Sequence, residues 1–207
     1  IWKNSGGKPK ATLAKMPLKV SYPIERGNTV PYPPLFDDIR RNHGFVDLRG
    51  RPDLISDIPE LADSLALKTL ILDLAQPRSA LMTMGCDLGE ALLKGRQLDR
   101  RWTAGGYVQV ARLPLEHVEH GVLLEMARRC ERHLDEAADG ARWEVAFGLC
   151  PTRLAFQPEA DIEVFTLWIW DHAFGSSLEK ARASRDRAFA ALHVGLREVA
   201  GLTSRRN

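Results

Sequence analysis

The stretch from Asp161 to Asp171 reads D-I-E-V-F-T-L-W-I-W-D and has the strongest strand character in the chain. In an extended chain, one side would carry Ile162, Val164, Thr166, Trp168 and Trp170, and the other would carry Glu163, Phe165, Leu167 and Ile169. Both sets are mostly apolar, and most of their members are β-branched or aromatic. Because successive side chains point to opposite faces of a sheet, this composition predicts an interior strand with packed layers on both sides.

Apolar patterns elsewhere predict further strands and helices. Strands are expected at residues 45–48, 69–74, 107–111 and 143–149, and helices at residues 56–67, 81–92, 115–138 and from residue 177 onward. The helix at 81–92 rests on Leu81, Met84, Leu88 and Leu92, which recur at intervals of three and four. The strand at 69–74 rests on an uninterrupted apolar run of strand length.

This order of elements predicts the fold class. It contains two strand–helix–strand units, which imply parallel crossover connections, while the short link between Leu149 and Asp161 allows an antiparallel pair. We therefore predict an α/β fold, with α+β as the alternative. The expected sheet is mixed and mainly parallel, has about four to six strands, and packs against helices. No internal repeat is visible in the sequence.

The N-terminal part differs in composition from the rest of the chain. Residues 1–30 carry a net charge of +5, whereas the whole chain carries +2. The segment 23–35 holds four prolines, Pro23, Pro31, Pro33 and Pro34, which disfavour helix in the residues around them. We expect a basic, Pro-rich, extended lead over residues 1–35 and a single α/β domain over residues 36–207.

The lysines of the lead suggest where the protein acts. Residues 1–17 contain Lys3, Lys8, Lys10 and Lys15 and no acidic residue. Lysines near a membrane are attracted to anionic lipid headgroups. The opening Ile1-Trp2-Lys3 is typical of the water-side end of an anchor helix, so membrane association through a segment preceding Ile1 is the expectation. A solvated tail and a nucleic-acid arm are the alternatives.

A second basic run lies in the predicted last helix. It consists of Lys180, Arg182, Arg185 and Arg187. Aromatic residues that could stack on bases do not alternate with these charges, and Glu179 and Asp186 offset them. The run is therefore interpreted as a solvated helix face, and nucleic acid is not the expected partner.

Three residues at predicted strand ends are the candidates for catalysis. Cys150 follows the strand at 143–149, and Asp171 and His172 follow the central strand. A cysteine paired with a histidine is a known nucleophile. In an antiparallel hairpin, however, the two strand ends lie at opposite edges, roughly 25 Å apart for eight residues. The sequence favours an exposed Asp171-His172 turn over a catalytic pair.

His117 and His120 are the candidates for metal binding. Histidines three residues apart on a helix can share a metal, but zinc proteases use a spacing of four with a glutamate between. The sequence also lacks a C-x-x-C pair. A solvated helix start is the preferred interpretation, and we expect neither a metal nor another cofactor.

The sequence also lacks a G-x-S-x-G motif, a phosphate-binding loop and a dinucleotide fingerprint. We therefore predict a non-catalytic accessory module that binds another protein and is tethered to a membrane. The alternative is a hydrolase with its site near Cys150 or near Asp171 and His172. A cleft in which these side chains converge would favour the hydrolase. An open apolar surface would favour the binding module.

Overall fold

The computed structural model describes residues 28–36, 41–94, 101–115, 119–138, 142–157 and 160–202. The elements are β1 (Asn28–Val30), β2 (Leu35–Phe36), β3 (Arg41–Asn42), two 3-10 helices (Pro52–Asp57 and Pro59–Asp63), α1 (Leu65–Leu74), β4 (Leu81–Leu92), β5 (Trp102–Arg112), α2 (His120–Ala137), β6 (Trp143–Gln157), β7 (Ala160–Gly175) and α3 (Leu178–Val199). Helices thus pack with a sheet, as an α/β or α+β fold requires.

The main sheet has five strands in the order β1-β6-β7-β5-β4. Only β1 and β6 run parallel, and the other three pairs are antiparallel. The prediction of a mainly parallel sheet was therefore wrong. The central strand was predicted correctly, because β7 lies between two neighbours and Leu167 pairs with Leu149 on one side and with Val110 on the other.

The error in strand direction began with α1, which the sequence predicted as a strand. The Ser64 hydroxyl caps this helix by accepting a hydrogen bond from the Leu67 backbone N–H at 3.1 Å. The buried residues Leu67, Leu70, Ile71 and Leu74 follow helical spacing. The apolar run at 69–74 is thus one buried side of a helix. Two 3-10 helices occupy most of the region where a helix at 56–67 was predicted.

The complementary error concerns β4, which the sequence predicted as a helix. Its pairing with β5 shifts register between Thr83 and Gly85, so a β-bulge interrupts the alternation of its side chains. Leu81 is buried against the helices, whereas Met82 and Met84 are buried on the opposite face of the sheet. Beyond the bulge, Leu88 packs on the same side as Leu81. The helix-like spacing of Leu81, Met84 and Leu88 therefore combines residues from both faces of one strand. Once α1 and β4 are exchanged, the first predicted crossover becomes a hairpin, which explains the antiparallel sheet.

The remaining strand predictions had mixed outcomes. Those at 107–111 and 143–149 are confirmed, although β5 begins earlier, at Trp102, and β6 continues through Cys150 and Pro151 to Gln157. Residues 45–48 were predicted as a strand and form none. The helices at 115–138 and after residue 177 are confirmed as α2 and α3. Residues 28–30, within the predicted lead, form β1 and pair with β6.

The main body consists of two hairpin–helix units, β4-β5-α2 and β6-β7-α3. The units join through the antiparallel pairing of β5 with β7, so equivalent strands meet at the centre of the sheet. The helices α2 and α3 pack on each other, α1 packs on α3, and α3 packs on β7 and β5. All three helices therefore share one face of the sheet, where Val108, Val110, Leu167 and Ile169 enter the main core.

The opposite face of the sheet holds a second, smaller core. Its buried members are Val30, Met82, Met84, Ala111, Leu154 and Val164, with Tyr32, Phe45 and Phe156 packed against them. Val30, Tyr32 and Phe45, which precede the first helices, thus cover part of this face. In the part of the chain that the structure describes, no helix is both long and apolar enough to cross a membrane.

The contact between α2 and α3 depends on a glycine. A Cβ placed at Gly195 would stand 2.9 Å from the Cα of Cys130, closer than such atoms approach in proteins. We expect Gly195→Ala to lower the free energy of unfolding by about 1–3 kcal/mol, because the helices must move apart. Urea denaturation measures the change.

Gly121→Ala is the matched control for this prediction. Gly121 lies in α2, and a Cβ placed there meets no atom within 4 Å. This substitution should leave stability unchanged or raise it by up to about 1 kcal/mol, since alanine favours helix. Equal effects of the two substitutions would contradict the close packing of α2 on α3.

Candidate functional site

Three aromatic side chains lie together on the face of the sheet opposite the helices: Tyr107 on β5 and Trp168 and Trp170 on β7. We call them the aromatic patch. The Tyr107 and Trp168 rings stack, with centroids 4.6 Å apart and planes 11° apart, and the Trp168 and Trp170 centroids are 5.4 Å apart. Each of the three side chains is partly exposed. The patch therefore offers part of its ring surface to solvent.

The strand pairing explains how the indole rings fit there. On β6, Gly148 lies opposite Trp168 and Ala146 lies opposite Trp170. These small residues leave space on the sheet beside the rings. Charged residues flank the patch on the same face, because Asp87 pairs with Tyr107 across β4 and β5, and Glu144 pairs with His172 across β6 and β7.

A buried polar network lies next to the patch and is centred on Gln109, which is 1% exposed. Its side-chain oxygen accepts a hydrogen bond from Asn28 Nδ2 at 2.8 Å. Its Nε2 donates to Thr152 Oγ1 at 3.0 Å and to Thr166 Oγ1 at 2.8 Å. Thr166 in turn donates to the Cys150 carbonyl at 3.2 Å. The network therefore joins β1, β5, β6 and β7 through satisfied polar groups.

One polar group of the patch has no such partner. The indole Nε1 of Trp168 is buried and has no hydrogen-bond partner among the described residues. An unpaired buried N–H costs about 1–3 kcal/mol relative to a paired one. The packing of the rings therefore has to offset that cost.

The structure does not bring Cys150 and His172 together. Cys150 lies inside β6, opposite Thr166, and is 5% exposed. His172 lies six residues beyond Thr166 on β7, which corresponds to about 20 Å of extended chain. Burial raises the pKa of the Cys150 thiol, although a hydrogen bond with Thr152 opposes the rise. At neutral pH the thiol is therefore protonated and is a poor nucleophile.

Asp171 and His172 point to opposite faces of the sheet. His172 is exposed, whereas Asp171 is 0% exposed on the helix-covered face. Neither carboxylate oxygen of Asp171 has a hydrogen-bond partner among the described residues. Burial raises the pKa of Asp171 well above its usual value, and the nearby charge of Arg185 only partly opposes the rise. The two side chains thus cannot share a proton directly.

Arg185 corrects the interpretation of the basic run in α3 as a solvated face. This residue is 0% exposed and donates from Nη2 to the Asp63 carbonyl and from Nε to Asp186 at 3.2 Å. Arg182 donates to Glu90 at 2.8 Å. The guanidinium of Arg187 lies 5.9 Å from the centre of the Trp143 ring. Three of the four charges therefore make contacts within the protein.

The structure describes only one of the two candidate metal ligands. His117 lies outside the described residues. His120 is the first residue of α2, and its ring meets the Phe165 ring edge-on at 4.1 Å. Within the described ranges, no group of three or more histidine, cysteine or acidic residues is arranged to hold a metal ion.

The aromatic patch was not predicted from the sequence. Trp168 and Trp170 were predicted to lie in a strand with both faces covered, because their neighbours are apolar on each side. One indication was available in the sequence: Trp168 and Trp170 share a strand face with the polar residue Thr166, whereas Leu167 and Ile169 share the more apolar face. Tyr107 gave no signal, because its position beside Trp168 depends on the pairing of β5 with β7.

Asp171 generates a pH-dependent prediction. A carboxyl group whose pKa is higher in the folded than in the unfolded state makes the folded state less stable as pH rises above the unfolded pKa, which is near 3.9 for aspartate. We therefore expect the stability of Asp171→Asn relative to the parent to increase as pH rises from about 3 to 7. Urea denaturation at several pH values measures the difference.

Asp47→Asn is the control of opposite sign. A hydrogen bond with Arg49 lowers the pKa of Asp47. The Asp47 carboxylate therefore stabilises the fold above its unfolded pKa, and this effect is lost as pH falls through its folded pKa. This substitution should reduce stability slightly at pH 7 and not at pH 3, because the pair is well solvated. The same pH trend in both variants would contradict the burial of an unpaired Asp171.

Comparisons with protein-family models, with curated proteins and with solved structures found no match to this chain. The functional interpretation therefore rests on the physical properties of the described residues. Of these, the exposed rings of the aromatic patch are the feature that folding alone explains least.

Proposed function

We propose that the chain is a non-catalytic protein-binding module whose aromatic patch takes an extended segment of another protein. The observation that supports this proposal is the set of three adjoining, partly exposed rings on the helix-free face. Tyrosine and tryptophan bury large areas with few rotatable bonds, and they are enriched where binding energy is concentrated.

The patch is also rigid before binding. Tyr107 and Trp168 hold each other in a stacked arrangement, and the Gln109 network fixes the strands beside them. Side chains that are already ordered lose little conformational entropy when a partner covers them. A pre-ordered aromatic surface therefore supports recognition rather than a role in the core.

The charges around the patch support a partner of defined chemistry. Asp87 and Glu144 lie on the same face as the rings. The faces of indole rings attract cations, and arginine and lysine favour such positions. We propose that the bound segment carries an arginine or a lysine next to apolar residues, with the cation near the carboxylates and the apolar residues over the rings.

Selection from a displayed library of random peptides tests this proposal. The parent protein should enrich sequences in which a basic residue adjoins apolar residues. Trp170→Ala should weaken binding of the selected peptides about 30-fold, because hot-spot aromatics contribute about 2 kcal/mol or more. Fluorescence anisotropy of a labelled peptide gives the dissociation constants.

Phe36→Ala is the matched control, since Phe36 is a 60% exposed aromatic residue outside the patch. It should leave the dissociation constant unchanged. Circular dichroism establishes that both variants are folded. Peptides that bind Trp170→Ala and the parent equally well would show that the patch is not the binding surface.

The basic lead supports a second part of the proposal, which is association with an anionic membrane surface. Residues 1–30 carry a net charge of +5, and each lysine near such a surface contributes roughly 1 kcal/mol at most. Replacing Lys3, Lys8, Lys10 and Lys15 with glutamine should therefore reduce co-sedimentation with anionic vesicles at low salt by at least about tenfold.

The control for this experiment replaces Lys94 and Lys180, which are exposed and lie outside the lead. That variant should sediment with the vesicles as the parent does. Equal sedimentation of the parent and the lead variant would leave the four lysines without a membrane role.

A further inference from the structure

A cleft lies between the bulged edge strand β4 and the segment 43–60. It has a volume of about 50 Å³, or about 630 Å³ when its open mouth is included. The inner wall is apolar and is formed by the buried residues Leu48, Ile71, Leu74, Met82 and Met84. The cleft is thus large enough for a short aliphatic chain and is lined to receive one.

The mouth of the cleft is polar and carries more negative than positive charge. Asp47, Asp57 and Glu60 contribute carboxylates, and Arg49 contributes one guanidinium. Arg49 is already paired with Asp47, at 2.8 Å from Nη2 and 3.0 Å from Nε. His43 also lines the cleft, and its Nδ1 lies 3.4 Å from Glu60 Oε1. The Asp57 carboxylate and the second oxygen of Glu60 are therefore the acidic groups that an entering ligand meets.

Inside the cleft, three side chains offer neutral polar groups. The Thr83 hydroxyl is buried and has no partner within the described part of the chain. The Tyr32 hydroxyl stands 3.1 Å from the point where a Cβ on Gly85 would lie, so the absence of that Cβ leaves room beside it. The third group is the Cys86 thiol.

Burial and the nearby carboxylates keep two of these groups neutral. Burial raises the pKa of Tyr32 and the pKa of Cys86 to about 12, and Glu60 and Asp87 add to the rise in both cases. At neutral pH the phenol and the thiol are therefore uncharged. They can form hydrogen bonds, but they are not nucleophiles.

We propose that this cleft binds a primary alkylammonium group on a short apolar stem. The stem would lie against the apolar wall, and the ammonium would meet the carboxylates of Glu60 and Asp57 and the free Thr83 hydroxyl. An anionic ligand would be repelled by the same carboxylates, and a neutral one would lack the charge to pair with them. The cleft adjoins the aromatic patch, since the Tyr32 and Tyr107 hydroxyls lie 3.1 and 3.6 Å from the point where a Cβ on Gly85 would stand. The ligand proposed for the cleft goes beyond the proposed function.

Binding of n-butylamine to the full chain tests the proposal, with n-butanol and butyrate as ligands of similar length. Amide chemical-shift changes give the dissociation constants. We expect butylammonium to bind with shifts at Thr83 and Cys86, and we expect the alcohol and the acid to bind at least about tenfold more weakly. At ten times its dissociation constant, butylammonium should raise the melting temperature by about 3–6 °C.

Glu60→Gln keeps the shape of the side chain and removes its charge, so it should weaken butylammonium binding about tenfold or more. The matched control is Glu125→Gln, an exposed glutamate on α2 that pairs with Arg129. That variant should bind as the parent does. Thr83→Val removes the unpaired hydroxyl at nearly constant volume. It should weaken binding by a smaller factor and serves as a second variant if Glu60→Gln does not fold.

The amine could be free or could belong to a lysine side chain of another protein. Nα-acetyl-lysine amide distinguishes these sources, since its binding at the same residues would show that a peptide backbone fits at the mouth. Binding of butylamine alone would assign the cleft to free amines. The proposal fails if butanol or butyrate binds as tightly as butylamine. It also fails if Glu60→Gln and Glu125→Gln bind equally, or if butylamine shifts no cleft residue at 100 times the protein concentration.

Discussion

The antiparallel pairing of β5 with β7 is the interaction on which the rest of the structure depends. It joins the two hairpin–helix units and makes both strands interior. Val108 and Val110 on β5 and Leu167 and Ile169 on β7 then form one continuous surface for the helices. On the other face, the same pairing places Tyr107 against Trp168. The core and the aromatic patch are two results of a single strand register.

The two faces of the sheet are covered to different extents. The helix-covered face is closed by α3, whose buried Arg185 also bonds to the backbone of Asp63 ahead of α1. Its Nη1 has no hydrogen-bond partner among the described residues and lies 3.5 Å from Glu90 Oε1, so the bond to Asp63 is one of the few that hold this buried guanidinium. The same bond connects α3 to the residue that precedes the cap of α1. Among the described residues, Val30, Tyr32 and Phe45 cover part of the opposite face, and the rings of the aromatic patch remain partly exposed beyond them. The main core and the proposed binding surface therefore lie on different sides of one sheet.

Some of this arrangement could be predicted from sequence, where a long pattern had a single interpretation. The strand β7 and the helices α2 and α3 have regular periods over many residues and were found. The exchange of α1 and β4 shows the limit, since a fully buried helix side resembles a strand and a bulged strand resembles a helix. The partly exposed state of Trp168 and Trp170 could not be predicted. It depends on where α3, Tyr32 and Phe45 pack, and these contacts are distant in sequence.

The position of β4 at the edge of the sheet has a consequence for self-association. Edge strands offer unpaired backbone groups to other molecules and can seed edge-to-edge aggregation. Here the bulge between Thr83 and Gly85 distorts the first half of the edge, and the segment 43–60 lies over it. The second half carries Asp87 and Glu90, and Glu90 is paired with Arg182. Charged groups along an edge oppose the approach of a second sheet. If the segment 43–60 moved away from β4, the uncharged first half of this edge strand would be exposed. The packing of that segment therefore helps to keep the protein from aggregating through β4.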